Sequence, residues 1–286
     1  MSLRLQLNPG DTRPKGIRGV VEITTDDETS TILNPTEGIE AVREDIFKPG
    51  YFSVYDVMRG LGDVESHWDP KLETHVVDSY NGQPNWWYSF MFGGGGRRTE
   101  LPVHKMDTFP YRDNMKLVFF QMDPEKLEEI YSAFRAEVTR RNEHGLVVPD
   151  VRIDFPNSNP DVEDRIVREY RDVEVKPHNF RSDMFQDGVV TGLDIMISLS
   201  ERGDIDLGLT VLNQFGKTSD GPVAVNGIWV TGIDGYTSDP KVGFLYEQGE
   251  PMFEGVGGFN FNRLHIGPDI RAGLPGYQKW SYTGKR

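Results

Sequence analysis

A chain of 286 residues carrying a net charge of −14 can hold one large domain or two of ordinary size, and is too acidic to present a sequence-blind surface for nucleic acid or anionic membrane. The absence of cysteine excludes disulfides, thiolate nucleophiles, Cys-ligated zinc and iron–sulfur clusters, while 37% hydrophobic and 11% aromatic content supports packed cores. No apolar run approaches a membrane span, so no membrane insertion is expected, and residues 1–16 lack the apolar stretch of a signal peptide.

Residues 1–16 read as an N-terminal arm of turn chemistry. Residues 19–24 alternate as a first strand, 26–38 read as polar loop, and 39–47 as a second strand. Ser53-Val54-Tyr55-Asp56 has the form of a capping box, with Tyr55, Met58 and Leu61 at helical spacing and Gly62 as the stop. An extended run over 72–80 leads to Asn81-Gly82, a hairpin signal, with Trp86 to Phe92 as the return strand before four glycines. Residues 115–121 form a strand that completes the first sheet. Asp123-Pro124 then caps a helix whose apolar stripe is Leu127, Ile130, Tyr131, Phe134 and Val138, with Gly145 as its stop. This helix is the expected connector between two halves.

In the second half, residues 151–155 and 172–176 read as strands, and Thr191-Gly192-Leu193-Asp194 repeats the helix cap, with Met196 and Leu199 matching Met58 and Leu61 at one constant offset. Strand-like runs over 207–215 and 225–233 precede a turn at Asp234-Gly235, and 243–246 read as the return strand. The glycine- and aromatic-rich tail beyond Tyr246 reads as coil packed on the body. These correspondences, in one order, point to an internal repeat.

The order β-β-α-β-β-β with a capped helix before a hairpin resembles a β-grasp-like module. More narrowly, the cap at Ser53–Asp56, the turn Tyr80-Asn81-Gly82 and the aromatic strand Trp86-Trp87-Tyr88 resemble the family related to the C-terminal domain of transcobalamin and intrinsic factor. In the second copy Phe244-x-Tyr246 stands at the Trp-x-Tyr position, and an insertion lies around 216–223. The resemblance implies a binding module, often exported or at the cell surface; a cytoplasmic location is the alternative. Ligand identity does not transfer. The expected fold class is α+β: an arm (1–16), a β-grasp-like domain (17–122), a connecting helix (123–145) and a second β-grasp-like domain with its tail (146–286).

Several groups invite function. Trp86, Trp87 and Tyr88, with Tyr80 and Asn81, would form a platform for a flat ligand or a partner, with Trp229, Asp234 and Tyr236 their counterparts in the second half. The competing reading, favoured for an aromatic strand, is that both faces are core. Four glycines followed by Arg97 and Arg98 suggest an anion site but lack the Lys-Ser/Thr and helix of a phosphate loop, which favours a hairpin tip. His265-Ile-Gly-Pro-Asp269 sets His265 and Asp269 around a rigid turn and is the most site-like group in the tail. The six histidines are scattered without metal-ligand spacing, and no motif implies a cofactor.

The expectation is therefore a non-catalytic binding protein that engages a small-molecule ligand or protein partner through aromatic hairpins, with the groove between halves as a place where those hairpins could hold it. One alternative is a structural subunit of a larger assembly, with a homo-oligomer left open. Another is an enzyme using His265 and Asp269.

Overall fold

The structure is a computed structural model that describes residues 20–24, 29–33, 38–92, 104–112, 115–156, 165–218, 221–239, 242–254, 261–262, 268–270 and 272–284. In the first part of the chain, β1 (Val20–Thr24) and β2 (Thr29–Leu33) pair antiparallel. The segment 26–38, expected as loop, thus carries a strand, while 39–47 contains none. Threonine-rich Thr29–Leu33 satisfies its backbone on the neighbouring strand despite its polarity, which is ordinary for an edge position. α1 (Val54–Leu61) opens as its capping box requires: the buried Asp56 carboxylate accepts from the Ser53 N–H at 2.8 Å and the Ser53 hydroxyl at 2.5 Å. Gly62 ends α1 with extended backbone (φ −167°). Its lack of a side chain serves close approach, because a Cβ there would lie 2.5 Å from the Tyr80 ring.

β3 (Val64–Asp69) and β4 (Thr74–Tyr80) form an antiparallel two-stranded sheet. Asn81-Gly82 predicts a hairpin that pairs β4 with the aromatic strand. The turn is present: Asn81 and Gly82 have φ of 49° and 76°, and Tyr80 and Gln83 exchange backbone hydrogen bonds at 2.9 and 3.0 Å. The chain then leaves, and β5 (Trp86–Phe92) pairs instead with β6 (Met115–Gln121), giving the order β2-β1-β6-β5 with β1 and β6 parallel. α2 (Pro124–His144) follows, its first turn capped by Asp123, and buries Leu127, Ile130, Ala133, Phe134 and Val138.

Beyond α2, β7 (Val147–Pro156) pairs antiparallel with β8 (Arg165–Glu174), and α3 (Gly192–Glu201) begins with Asp194 accepting from the Thr191 N–H at 2.6 Å and hydroxyl at 2.8 Å. A long hairpin of β9 (Leu207–Thr218) and β10 (Gly221–Ile233) ends at Asp234-Gly235, after which β11 (Tyr236–Thr237) pairs back on β10. β12 (Phe244–Gly249), β13 (Phe261–Asn262) and β14 (Tyr277–Tyr282) complete a five-stranded sheet, β13-β12-β14-β7-β8. Here the expectation of a coiled tail is corrected: β14 lies between β7 (parallel) and β12 (antiparallel), with Tyr277, Trp280 and Tyr282 buried. Tyr277-Gln-Lys-Trp-Ser-Tyr282 carries no glycine, and its buried residues include Gln278, whose amide bonds Gly192 O and Gln248. The fold is mixed α+β, with three helices and several small sheets among the described residues.

The run β2-β1-β6-β5 and the run β8-β7-β14-β12 share one pairing scheme, antiparallel, parallel, antiparallel. One apolar core lies around α1, the aromatic strand and α2, and reaches across to Met184, Phe185, Phe253 and Ile270; another lies between α3, the second large sheet and β9–β10. No described helix is long and apolar enough to cross a membrane.

Candidate functional site

The loops that lead into α1 and α3 bring the two halves together. Arg43, Asp45, Phe47 and Gly50 recur 138 positions later as Arg181, Asp183, Phe185 and Gly188. Phe47 and Phe185 face each other across an antiparallel bridge, their rings 5.6 Å apart, and Lys48 N–H donates to Met184 O while Gln186 N–H donates to Ile46 O, both at 2.9 Å. Each arginine forks onto two aspartates. Arg43 binds both oxygens of Asp45 at 2.7 Å and reaches Asp107 at 3.2 Å; Arg181 binds Asp183 at 2.9 and 3.0 Å and Asp269 at 2.8 Å. Asp107 is fully buried. Burial alone would raise its pKa, but the bonds from His75 (Nδ1 3.1 Å, backbone N 3.0 Å), Thr74 (2.5 Å) and Arg43 outweigh it and hold it below the usual carboxylate range.

Beside this junction lies a cleft of about 390 Å³, floored by α2 and walled by both halves. Its walls come from the Arg43–Ile46 loop, the segment 104–108, the Asp187–Val190 loop, the end of β12 and the turn 272–275. Ile46, Phe134, Val189, Val190 and Leu274 supply apolar surface, and the charged lining residues are Arg43, Lys105 and Arg141 against Asp45, Glu73, Glu137, Asp187 and Glu250. Carboxylates outnumber cations, as they do over the whole chain.

These charges are held in place. Glu137 lies 3.1 Å from Lys105 Nζ and accepts the Leu274 N–H at 3.0 Å. Burial pushes its pKa up, yet Lys105, the Leu274 amide and Arg141 bring it below the usual glutamate value, so it stays ionised. Glu250 is gripped by both Arg140 nitrogens at 2.7 and 2.8 Å, and Arg140 also donates to Leu274 O at 2.6 Å. Here burial prevails over Arg140, and nearby Glu137 adds repulsion, so the Glu250 pKa is raised. The turn can pass this close only because of its glycines: a Cβ on Gly276 would lie 2.7 Å from Glu250 Oε2.

The residues singled out in the sequence fall elsewhere. Trp86, Trp87 and Tyr88 are all buried: Trp87 packs on Tyr131 and Phe134 of α2, Trp86 on Tyr80, and Tyr88 on Phe109. Trp86, Trp87, Tyr88 and Phe90, all buried, present no aromatic platform to solvent. This is the fully buried reading of the strand, and α2 is what covers its second face. Asn81 is exposed, but its side chain accepts the Asp63 N–H at 3.0 Å. Trp229 is half-buried; Asp234 accepts the Asp206 N–H at 2.7 Å and pairs with Arg168; Tyr236 stacks on Phe155 at 4.6 Å. Arg97, Arg98 and His265 lie outside the described residues. Asp269 is fully buried on Arg181, in a place suited to structure rather than to proton transfer with solvent. Among the described residues no group of three or more His, Asp or Glu side chains is arranged to hold a metal ion.

The cleft residues themselves were missed. The signal that leads to them was present in the chain, the Arg-x-Asp-x-Phe recurrence ahead of each capped helix. Fold and site together define an α+β protein with a mixed-charge cleft between two similarly wired sheets. Comparison with family models, curated proteins and solved structures returned no match.

Proposed function

We propose that this chain is a non-catalytic binding protein made of two β-grasp-like units, akin to the transcobalamin C-terminal family, and that a small-molecule ligand occupies the cleft between them. Supporting the β-grasp reading, each half sets its first strand parallel to its last and carries, in chain order, a short capped helix between an opening hairpin and a second one. The observation that carries the binding reading is the cleft. It has the volume expected of a small-molecule site, combines apolar surface from Ile46, Phe134, Val189, Val190 and Leu274 with fixed polar groups, and lies where two units meet. The buried aromatic strand then acts as the rigid wall behind α2 instead of as the contact surface.

The test is native mass spectrometry of protein purified from its own host, alongside the same sample denatured. A discrete mass increment that disappears on denaturation supports the proposal. Protein that runs only at its bare mass, and that also binds nothing saturably in a fragment screen by ligand-observed NMR, overturns it.

A second reading, a subunit of a larger assembly, has one observation in its favour. β8 is an outer strand of its sheet and exposes Ile166 and Val167, at 41% and 51%. Light scattering decides it: a discrete multimer supports an assembly, and a monomer at high concentration rules it out.

A further inference from the structure

Trp280 fixes the orientation of two side-chain amides that lead from the core to the cleft. Its indole N–H can only donate, so Gln278 turns its Oε1 toward it, at 2.9 Å. Gln278 Nε2 then faces the other way and donates to Gly192 O at 2.8 Å and to Gln248 Oε1 at 3.0 Å. Gln278 and Trp280 are buried, so no solvent competes for these bonds. Gly192 makes room for the second amide, because a Cβ there would collide with Gln248 Oε1. Since Gln248 accepts through Oε1, its Nε2 is the end left over. Those N–H groups meet no acceptor among the described residues, yet the nitrogen is not sealed inside the protein. Gln248 lines the cleft and is only 4% exposed, so the opening at its amide is the cleft itself.

The charged groups around the same cleft are already committed to one another. Glu137 holds Lys105 at 3.1 Å, Glu250 holds Arg140 at 2.7 Å, and Glu73 pairs with Arg141. Asp45 is taken by Arg43 at 2.7 Å, and Asp187 faces Lys48 at 3.5 Å. An ionised ligand would break one of these pairs or enter without a counter-ion, and both are costly in a partly buried cleft. The Gln248 donor is different: a ligand that covers it without offering an acceptor strands its N–H groups away from water. We infer that the Gln248 amide is the polar anchor of the cleft, and that it selects an uncharged ligand with an apolar body and a carbonyl oxygen. Ile46, Phe134, Val189, Val190 and Leu274 supply the apolar surface for that body. This rests on the binding function proposed above and adds to it the ligand's chemical class and the residue that reads it.

The probe is methyl pentyl ketone, an apolar chain with one acceptor oxygen and no donor, titrated into the isotopically labelled full chain and followed by NMR. Hexanoate and hexylamine are the matching anion and cation. The expected result is saturable binding of the ketone that shifts the Gln248 side-chain amide signals, with both charged probes weaker by at least about tenfold. Gln248→Met keeps the volume, removes the donor and weakens ketone binding by at least about tenfold. If that variant fails to fold, the amide signals of the unaltered protein decide, and saturable ketone binding that leaves them unmoved overturns the inference. Equal or tighter binding of either charged probe, or unchanged ketone binding in folded Gln248→Met, also overturns it and leaves the binding function standing. If no probe binds saturably while the native mass spectrum keeps a discrete increment, this inference alone falls. If the increment is absent as well, the binding function falls with it.

Discussion

Asn81 and Asp234 perform one task in two places: each side-chain oxygen accepts the backbone N–H of the aspartate that follows a helix, Asp63 at 3.0 Å and Asp206 at 2.7 Å. Each also donates its own N–H back to that aspartate's carbonyl, at 2.8 and 2.9 Å, and each sits at φ near 50° before a glycine. Asn and Asp tolerate this left-handed geometry better than other non-glycine residues. Asp234→Ala and Asn81→Ala each remove the bond and strain the turn, and are expected to cost about 1–2 kcal/mol. Because the two turns belong to different halves, the double variant is expected to show the sum within about 0.5 kcal/mol, measured by urea denaturation.

Trp87→Ala is expected to destabilise the protein by about 3–5 kcal/mol, the cost of a cavity in a packed core. Trp87 is only 2% exposed, so loss of stability should precede any change in ligand affinity. A fully stable Trp87→Ala protein would overturn its placement against α2.

Arg140 and Glu250 form a buried pair, with side chains 12% and 8% exposed. Arg140→Ala alone leaves the Glu250 carboxylate without its cation and is expected to cost about 3–5 kcal/mol. Removing both charges together, as Arg140→Met/Glu250→Leu, should cost less than the sum of the single changes. A double-mutant cycle by chemical denaturation checks this, and strict additivity would contradict the pairing.

His178 donates its backbone N–H to Asp194 at 2.8 Å, with Nδ1 2.9 Å from the same oxygen and Nε2 3.3 Å from Glu201. The hydrogen bond with Asp194 raises its pKa, burial opposes the shift, and Glu201 adds to the rise. The folded state therefore holds the proton more tightly than the unfolded chain does. This stabilisation is complete below the ordinary value of 6.5 and is lost as pH rises through the folded value. Stability measured from pH 6 to 9 should fall across that window, and His178→Gln should flatten the fall. A histidine NMR titration with a midpoint below 6.5 would contradict it.

Local chemistry was legible where one short stretch decides it. The Ser53 and Thr191 caps, the Asp123-Pro124 start of α2 and the turns at Asn81 and Asp234 all form where residue type dictates. Pairing was not legible, because β5 must choose between its sequence neighbour β4 and the distant β6, and tertiary burial under α2 settles it. β2 was hidden because Thr29–Leu33 is polar, and β14 because the glycine-rich segment before it dominates the composition of the tail. The Arg-x-Asp-x-Phe recurrence marks two of the cleft's loops, but the cleft itself is assembled from segments far apart in the chain, so its lining could not be read from any one stretch.

Each large sheet places the final strand of its half beside the first, β6 against β1 and β14 against β7. A ribosome delivering the second half therefore exposes β7 with one flank unsatisfied until Tyr277–Tyr282 has emerged, more than a hundred residues later. The Val147–Pro156 edge is the longest-lived vulnerability of the nascent protein, and closing so long a loop makes that docking slow. The few residues of β14 decide whether everything synthesised after α2 becomes a finished core or an open sheet seeking another partner.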